Sequence, residues 1–196
     1  MVIWGSMSTA LTEHEQQILE AARVEFETYG LRRANVDSVA KRAGVGRSTL
    51  YRRFPNKEAL FSEVVRHQGR EFLRALDAAI EGCGPKEAVV ESFAATAQLA
   101  HRMPLVARLL DSEPEALFAP GTAPGGALLR DEFTARIAAA LKRCGSTMEQ
   151  DDLLAVSEIL QRVAISMVLF PGGQFDLADT AAVRRYAERH LTRLVD

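Results

Sequence analysis

Arg47, Ser48, Thr49, Tyr51, Arg52, Arg53 and Lys57 crowd hydrogen-bond donors and positive charge into one short stretch of the chain. The planar fork of Arg47 matches the O6/N7 acceptor edge of guanine. Ser48 and Thr49 are short, so a helix carrying them approaches a groove closely, and Thr49 suits a thymine methyl or a phosphate. Tyr51 and Arg53 have the reach to hydrogen-bond phosphates on either side. Lys57 adds a cation to the first turn of a following helix, where free N–H groups already attract anions. This is the chemistry of nucleic-acid contact rather than of bond making. No nucleophile–base pair accompanies it, and the four histidines, at 14, 67, 101 and 190, share no paired spacing.

The surrounding residues predict how these donors are held. Asn35, which we include in the DNA-facing set, caps a helix over 36–43 whose inward face is Val36, Val39, Ala40 and Ala43. Ala40 is small where two helices cross closely, and Gly44 supplies the positive φ of a tight turn. Val45 plugs the apolar side of that turn. A second helix over 47–54 then buries Leu50 and Phe54 and leaves the polar set to solvent, which is a helix-turn-helix. Ahead of it, Thr12-Glu13-His14-Glu15 forms a capping box, and Ile18, Leu19, Ala22 and Phe26 give a helix over 13–29 one apolar stripe. Gly30 ends that helix.

At the same spacing, this stretch resembles the TetR/AcrR family of bacterial transcription regulators. The matching residues are Val39-Ala40, Ala43-Gly44-Val45, Thr49-Leu50-Tyr51, Phe54 and Asn56-Lys57-Glu58-Ala59-Leu60, with Tyr29-Gly30 before them. The resemblance covers about residues 12–61. It implies an N-terminal three-helix DNA-binding domain, a larger helical effector domain and a homodimer. It also implies DNA contact by Arg47, Ser48, Thr49, Tyr51, Arg53 and Lys57, with Arg52 beside them. The chain departs from the family pattern at Gly46, Ser48 and Arg53, where Ser, Gly and His are frequent, so no operator sequence is borrowed. A ligand-responsive regulator, most simply a repressor, is therefore expected. The alternatives are an activator of the same fold or a helical small-molecule carrier whose DNA head is inactive.

The period is helical along nearly the whole chain, with no alternation long enough for a strand, so the fold class is all-α. A helix over 57–80, capped by Asn56, has Phe61, Val65, Phe72, Leu76 and Ile80 as its stripe and ends at Gly82-Cys83-Gly84-Pro85. Helices are expected over 86–103, 105–112, 127–144, 150–170 and 178–195. Residues 111–126, rich in Pro and Gly, form a long connection, either a surface insertion or a gate over a ligand. The domain boundary is expected after Lys57, giving 1–57 for DNA binding and 58–196 for effector binding and dimerisation.

His101 and Arg102 suit an anionic effector or the hydrogen-bonded end of a helix. Phe93, Met103, Phe118, Phe133 and Arg162 complete a candidate small-molecule pocket, although core packing explains the apolar ones as well. The last two helices are apolar on more than one face and call for a partner subunit as cover. The expected homodimer face is Leu153, Val156, Leu160, Val163 and Met167 with Val183, Tyr186, His190 and Leu194.

Composition bounds the rest. The 196 residues are 47% hydrophobic and 26% charged, which is ordinary for a globular chain. No apolar run approaches the ~20 residues of a membrane span, Met1–Thr9 shows no secretory leader, and Met7 offers an alternative start. Cys83 and Cys144 are too few for a metal cluster, Gly44-Val45-Gly46 follows a helix rather than a strand, and no cofactor or metal is implied. A cytoplasmic compartment fits. The net charge of −2 conceals a partition. Residues 1–29 carry one basic and five acidic residues, 30–57 eight basic and one acidic, and 58–196 fifteen basic and twenty acidic. The cationic block coincides with the helix-turn-helix.

Overall fold

The computed structural model describes residues 12–100, 104, 105, 108, 126–170, 172–173 and 176–196. Among them the elements are α1 (Glu13–Arg33), α2 (Val36–Arg42), α3 (Arg47–Arg53), α4 (Lys57–Ala79), α5 (Pro85–Ala100), α6 (Gly126–Arg143), α7 (Gln150–Leu169) and α8 (Thr180–Tyr186). A π-helical turn (Ala187–Leu191) and a 3-10 turn (Thr192–Leu194) follow α8. The fold is all-α. It divides into two compact units, Met1–His67 and Gln68–Asp196. The division falls inside α4 rather than at its first residue.

In the first unit α1 begins at the expected capping box. Glu15 N–H donates to Thr12 Oγ1 at 3.3 Å, and Thr12 N–H donates to Glu15 Oε2 at 2.9 Å. Ile18, Leu19, Ala22 and Phe26 are all buried, as are Val39 and Ala40 of α2, Leu50 and Phe54 of α3 and its end, and Leu60, Phe61 and Val64 of α4. Phe26 and Phe61 meet edge to face, ring centroids 5.2 Å apart, which adds about 0.5–1.5 kcal/mol beyond area burial. Gly30 takes φ +74° and breaks the helical path as expected, but the chain coils on to Arg33 before turning. Asn35 caps α2 through its side chain, which accepts from Asp37 N–H at 2.8 Å. The carboxylate of Glu25, itself buried, accepts from Asn35 N–H at 3.0 Å and so ties α1 to the start of α2.

In the second unit α5 packs against α7, α6, α8 and the turns that close the chain. Its core joins Ile80, Val89, Phe93, Leu141, Leu153, Leu160, Val183 and Leu191. Asp77 of α4 receives Arg136 at 3.1 Å and Arg143 at 2.6 Å from α6, and Glu91 of α5 pairs with Arg184 of α8 at 2.6 Å. Both cysteines are free and half-buried, and burial raises their thiol pKa values.

The stripe expected on α4 is not the one observed. Leu60, Phe61, Val64, Leu73 and Ile80 are buried, while Val65, Phe72 and Leu76 are only half-buried. The helix serves two cores in turn, and a single period read along its length blends the two faces. Residues 101–103, 111–125 and most of 104–110 lie outside the described residues, and with them the expected short helix, the Pro/Gly connection and its gate, and candidates His101, Arg102, Met103 and Phe118.

Candidate nucleic-acid interface

Local rules place the donors. Gly44 sits at φ +68°, a value that favours glycine, and the following N–H groups return to the end of α2, Gly44 to Lys41 O at 3.3 Å and Val45 to Ala40 O at 3.0 Å. Gly46 caps α3 without any side-chain bond. Leu50 is fully buried and Phe54 nearly so, so α3 is pinned by one apolar edge. That fixes the outward face. Arg47, Ser48, Tyr51, Arg52 and Arg53 are exposed and Thr49 is half-buried. Asn35 also reaches solvent, although its side chain is engaged as the α2 cap.

The structure adds partners that the one-dimensional pattern does not reveal. Arg47 Nε lies 2.7 Å from Asp37 Oδ1 of α2. Arg53 Nε donates to Glu15 Oε1 of α1, whose other oxygen closes the capping box. The backbone N–H of Thr12, and then Arg53, lower the pKa of Glu15. Lys57, the first residue of α4, donates from Nζ to Arg32 O at 2.8 Å, so it caps the exposed carbonyl end of α1. Asn56 Oδ1 accepts from Ala59 N–H at 2.7 Å, the expected N-cap of α4. Three of the sequence-derived DNA cations are thus held by acceptors of their own domain.

The family described as "Bacterial regulatory proteins, tetR family" matches residues 18–64, the stretch that builds this three-helix head. Residues 18–64 thus carry the N-terminal region of this family. The HTH-type transcriptional regulator RutR of Escherichia coli strain K12 is 30% identical over 137 residues, 70% of this chain and 61% of RutR. The chain therefore spans about three fifths of that relative. A second relative, the uncharacterized HTH-type transcriptional regulator YhgD of Bacillus subtilis strain 168, is 39% identical over 69 residues, 35% of this chain and 36% of YhgD. The fold matches the TetR-family repressor AlkX of Dietzia sp. strain DQ12-45-1b with a TM-score of 0.71, at 22% identity over 93% of this chain and 96% of AlkX. Salmonella enterica GusR gives 0.64 at 19% identity, over 94% of this chain and 98% of GusR.

In the second unit the candidate pocket residues separate. Phe93 belongs to the core, Phe133 is half-buried with its ring edge on α4, and Arg162 is exposed in a 2.5 Å pair with Glu158. Leu153, Leu160 and Val183 of the expected dimer face are buried in the chain's own core. Val156, Val163, Met167, Tyr186 and Leu194 are half-buried, and His190 is exposed with its ring 5.0 Å from that of Tyr186. The residues that do present apolar surface there are Ile159, Ile165 and Phe170, the last 69% exposed. A groove of about 540 Å³ runs along Ser166, Met167, Phe170, Leu177, Tyr186 and His190. Among the described residues no group of His, Cys, Asp and Glu is arranged to hold a metal, and no helix is long and apolar enough to cross a membrane.

Proposed function

We propose that the chain is a ligand-responsive transcription regulator, a repressor that binds a near-palindromic DNA operator as a homodimer. The observation that carries the reading is α3, pinned by Leu50 and Phe54 with Arg47, Ser48, Tyr51, Arg52 and Arg53 facing solvent, at the centre of a block with eight basic residues and one acidic. Two such helices, related by a dyad, enter successive major grooves about 34–36 Å apart. Arg47 reads a base edge, Thr49 and Ser48 allow close approach, and Tyr51, Arg53 and Lys57 contact phosphates. Ile159, Ile165, Phe170 and the adjoining groove are apolar surface that a second copy covers. Repression is also the activity named for AlkX, a neighbour in fold.

The effector binds in the C-terminal unit and favours a state that no longer fits the operator, a coupling of about 1–3 kcal/mol. Polar groups inside that unit support such a ligand. Gln161, buried, accepts from Thr134 Oγ1 at 2.6 Å, and the wholly buried Ser157 hydroxyl has no hydrogen-bond partner among the described residues. A low-salt gel shift against DNA flanking the protein's own gene tests the core of the reading. The expected result is a saturable complex of two chains per site that weakens steeply with salt. Absence of such a complex, or a monomer in sedimentation at micromolar concentration, refutes it.

A further inference from the structure

Between residues 30 and 57 the chain places eight cations and a single carboxylate, Asp37. The fold brings that carboxylate to Arg47, the side chain assigned above to base readout. Asp37 is the second residue of α2 and Arg47 the first of α3, and Arg47 Nε stands 2.7 Å from Asp37 Oδ1 across the tight turn. The backbone that carries this carboxylate is fixed, because Asn35 Oδ1 accepts from the Asp37 backbone N–H. An acidic residue in the first turn of a helix also complements the helix dipole. That role needs no contact with α3, so the dipole alone does not account for the pairing.

We propose that Asp37 is a specificity-determining positioning residue, which holds Arg47 for a base edge and disfavours its use on the phosphate backbone. The proposal rests on the assignment of Arg47 to base readout. The pair engages the guanidinium at Nε, its innermost nitrogen, while 66% of the Arg47 side chain remains exposed. The contact is an ion pair and not a hydrogen bond, since Asp37 Oδ1 has no hydrogen-bond partner among the described residues, so the N–H donors at the outer end of the guanidinium stay available as a fork for the two acceptors of guanine. The two alternatives differ in charge. A guanine edge is a neutral pair of acceptors and accommodates a nearby carboxylate. A phosphate that captures Arg47 brings its own negative charge toward Asp37, and like charges oppose the contact. Asp37 therefore acts mainly against the wrong mode, the binding of arbitrary sequence, and discrimination is the difference between the two modes.

The test uses the full chain. Wild type, D37N, D37A, D37E, R47A and D37A/R47A are each used to select from a random duplex pool, and their binding to one random-sequence duplex is measured against salt. D37N and D37A are expected to bind the random duplex more tightly, with a log–log salt slope steeper by about 0.9 for each head, or about 1.8 for the dimer, one extra phosphate per head. They should flatten by about tenfold the preference at the one base-pair position that R47A also loses, leaving other positions intact. D37E, which keeps the charge, should retain most of that preference. In the R47A background D37A should change neither quantity, which separates action through Arg47 from a general loosening of α2. Wild-type preference and slope in D37N and D37A overturn this inference alone. A wild type that enriches no sequence overturns the operator-binding reading and this inference with it.

Discussion

Gly69, in the middle of α4, faces Phe133 of α6. A Cβ built there lies 2.6 Å from Phe133 Cζ and 3.4 Å from Phe133 Cε2, so the ring points edge-on at the α4 backbone. Carbon atoms pack comfortably at about 3.5–4.0 Å, so Gly69→Ala requires the ring to retreat by about 1 Å. Two effects of opposite sign meet in this one methyl. Alanine is favoured over glycine inside a helix by about 1 kcal/mol. Forcing a side chain off its seat costs about 1–3 kcal/mol. The ring is a stiff plate that moves only by turning as a whole, and Asp77, with Arg136 at 3.1 Å and Arg143 at 2.6 Å, ties α6 to α4 nearby. The steric term therefore wins.

The expected result is a net destabilisation of up to about 2 kcal/mol, or a fall in Tm of about 2–4 °C for each kcal/mol in a chain of this size. Phe133→Ala removes the obstacle. In that background Gly69→Ala should become stabilising by about 1 kcal/mol, so the cycle of four proteins should show a coupling of about 1–3 kcal/mol. Urea or thermal unfolding at one fixed protein concentration reads all four, since self-association shifts apparent stability. If Gly69→Ala stabilises both backgrounds equally, the contact is energetically empty and the role given to Phe133 as the α6 grip on α4 is wrong.

Other perturbations address the DNA head and the chain's C-terminal contacts. Arg47→Ala should abolish preference at one position of each half-site while leaving much of the affinity for random DNA, whereas Lys57→Ala should weaken all sequences alike and reduce the salt slope by about one for each head. Glu15→Gln keeps a side chain able to close the capping box but removes the charge paired with Arg53, and a loss of about 0.2–1 kcal/mol in unfolding experiments is expected. Because Glu15 titrates below its ordinary value, its contribution is present above the unfolded carboxylate range and fades as pH falls, so the gap between wild type and Glu15→Gln should close in acid. Asp196, with Thr147 and then Ser146 donating to its carboxylate, titrates at about 2 against an ordinary 3.8. The Tm difference between wild type and Asp196→Asn should therefore be constant above pH 5 and decay between about pH 4 and pH 2, and a difference that persists at pH 2 contradicts the assignment.

What could be read in advance was local. The capping box at Thr12, the Asn35 and Asn56 caps, the positive φ of Gly44 and the burial of Leu50 and Phe54 each depend on a few neighbouring residues, and those residues spelled out the reading head. The ion pairs were not legible. Asp37 and Arg47, or Glu15 and Arg53, meet only because a tight turn and a buried core fold separate helices together, and no spacing rule couples them. The apolar C-terminal helices show a different limit. Their composition announced more than one buried face, yet Leu153, Leu160 and Val183 are covered by α5 and its neighbours in the same chain. Ile159, Ile165 and Phe170 remain outward. Periodicity identifies how much surface must be hidden and leaves open which neighbour hides it.

The same distinction sharpens the charge argument. Counting residues gives the segment 30–57 eight cations against one anion, which describes a strong and indiscriminate affinity for phosphate. The fold gives Arg47 a carboxylate from α2, Arg53 a carboxylate from α1 and Lys57 a carbonyl from the end of α1. A cation already satisfied gains less from an arbitrary phosphate than a free one, since each such contact displaces or crowds an existing acceptor. Only a surface that offers the right acceptors in the right places compensates for that. On the proposed assignment the partners of Arg53 and Lys57 lower the affinity for all sequences alike, and only the partner of Arg47, the residue given to base readout, raises the share that depends on sequence. A regulator competing against a genome of non-specific sites depends on that ratio more than on its affinity for any one site.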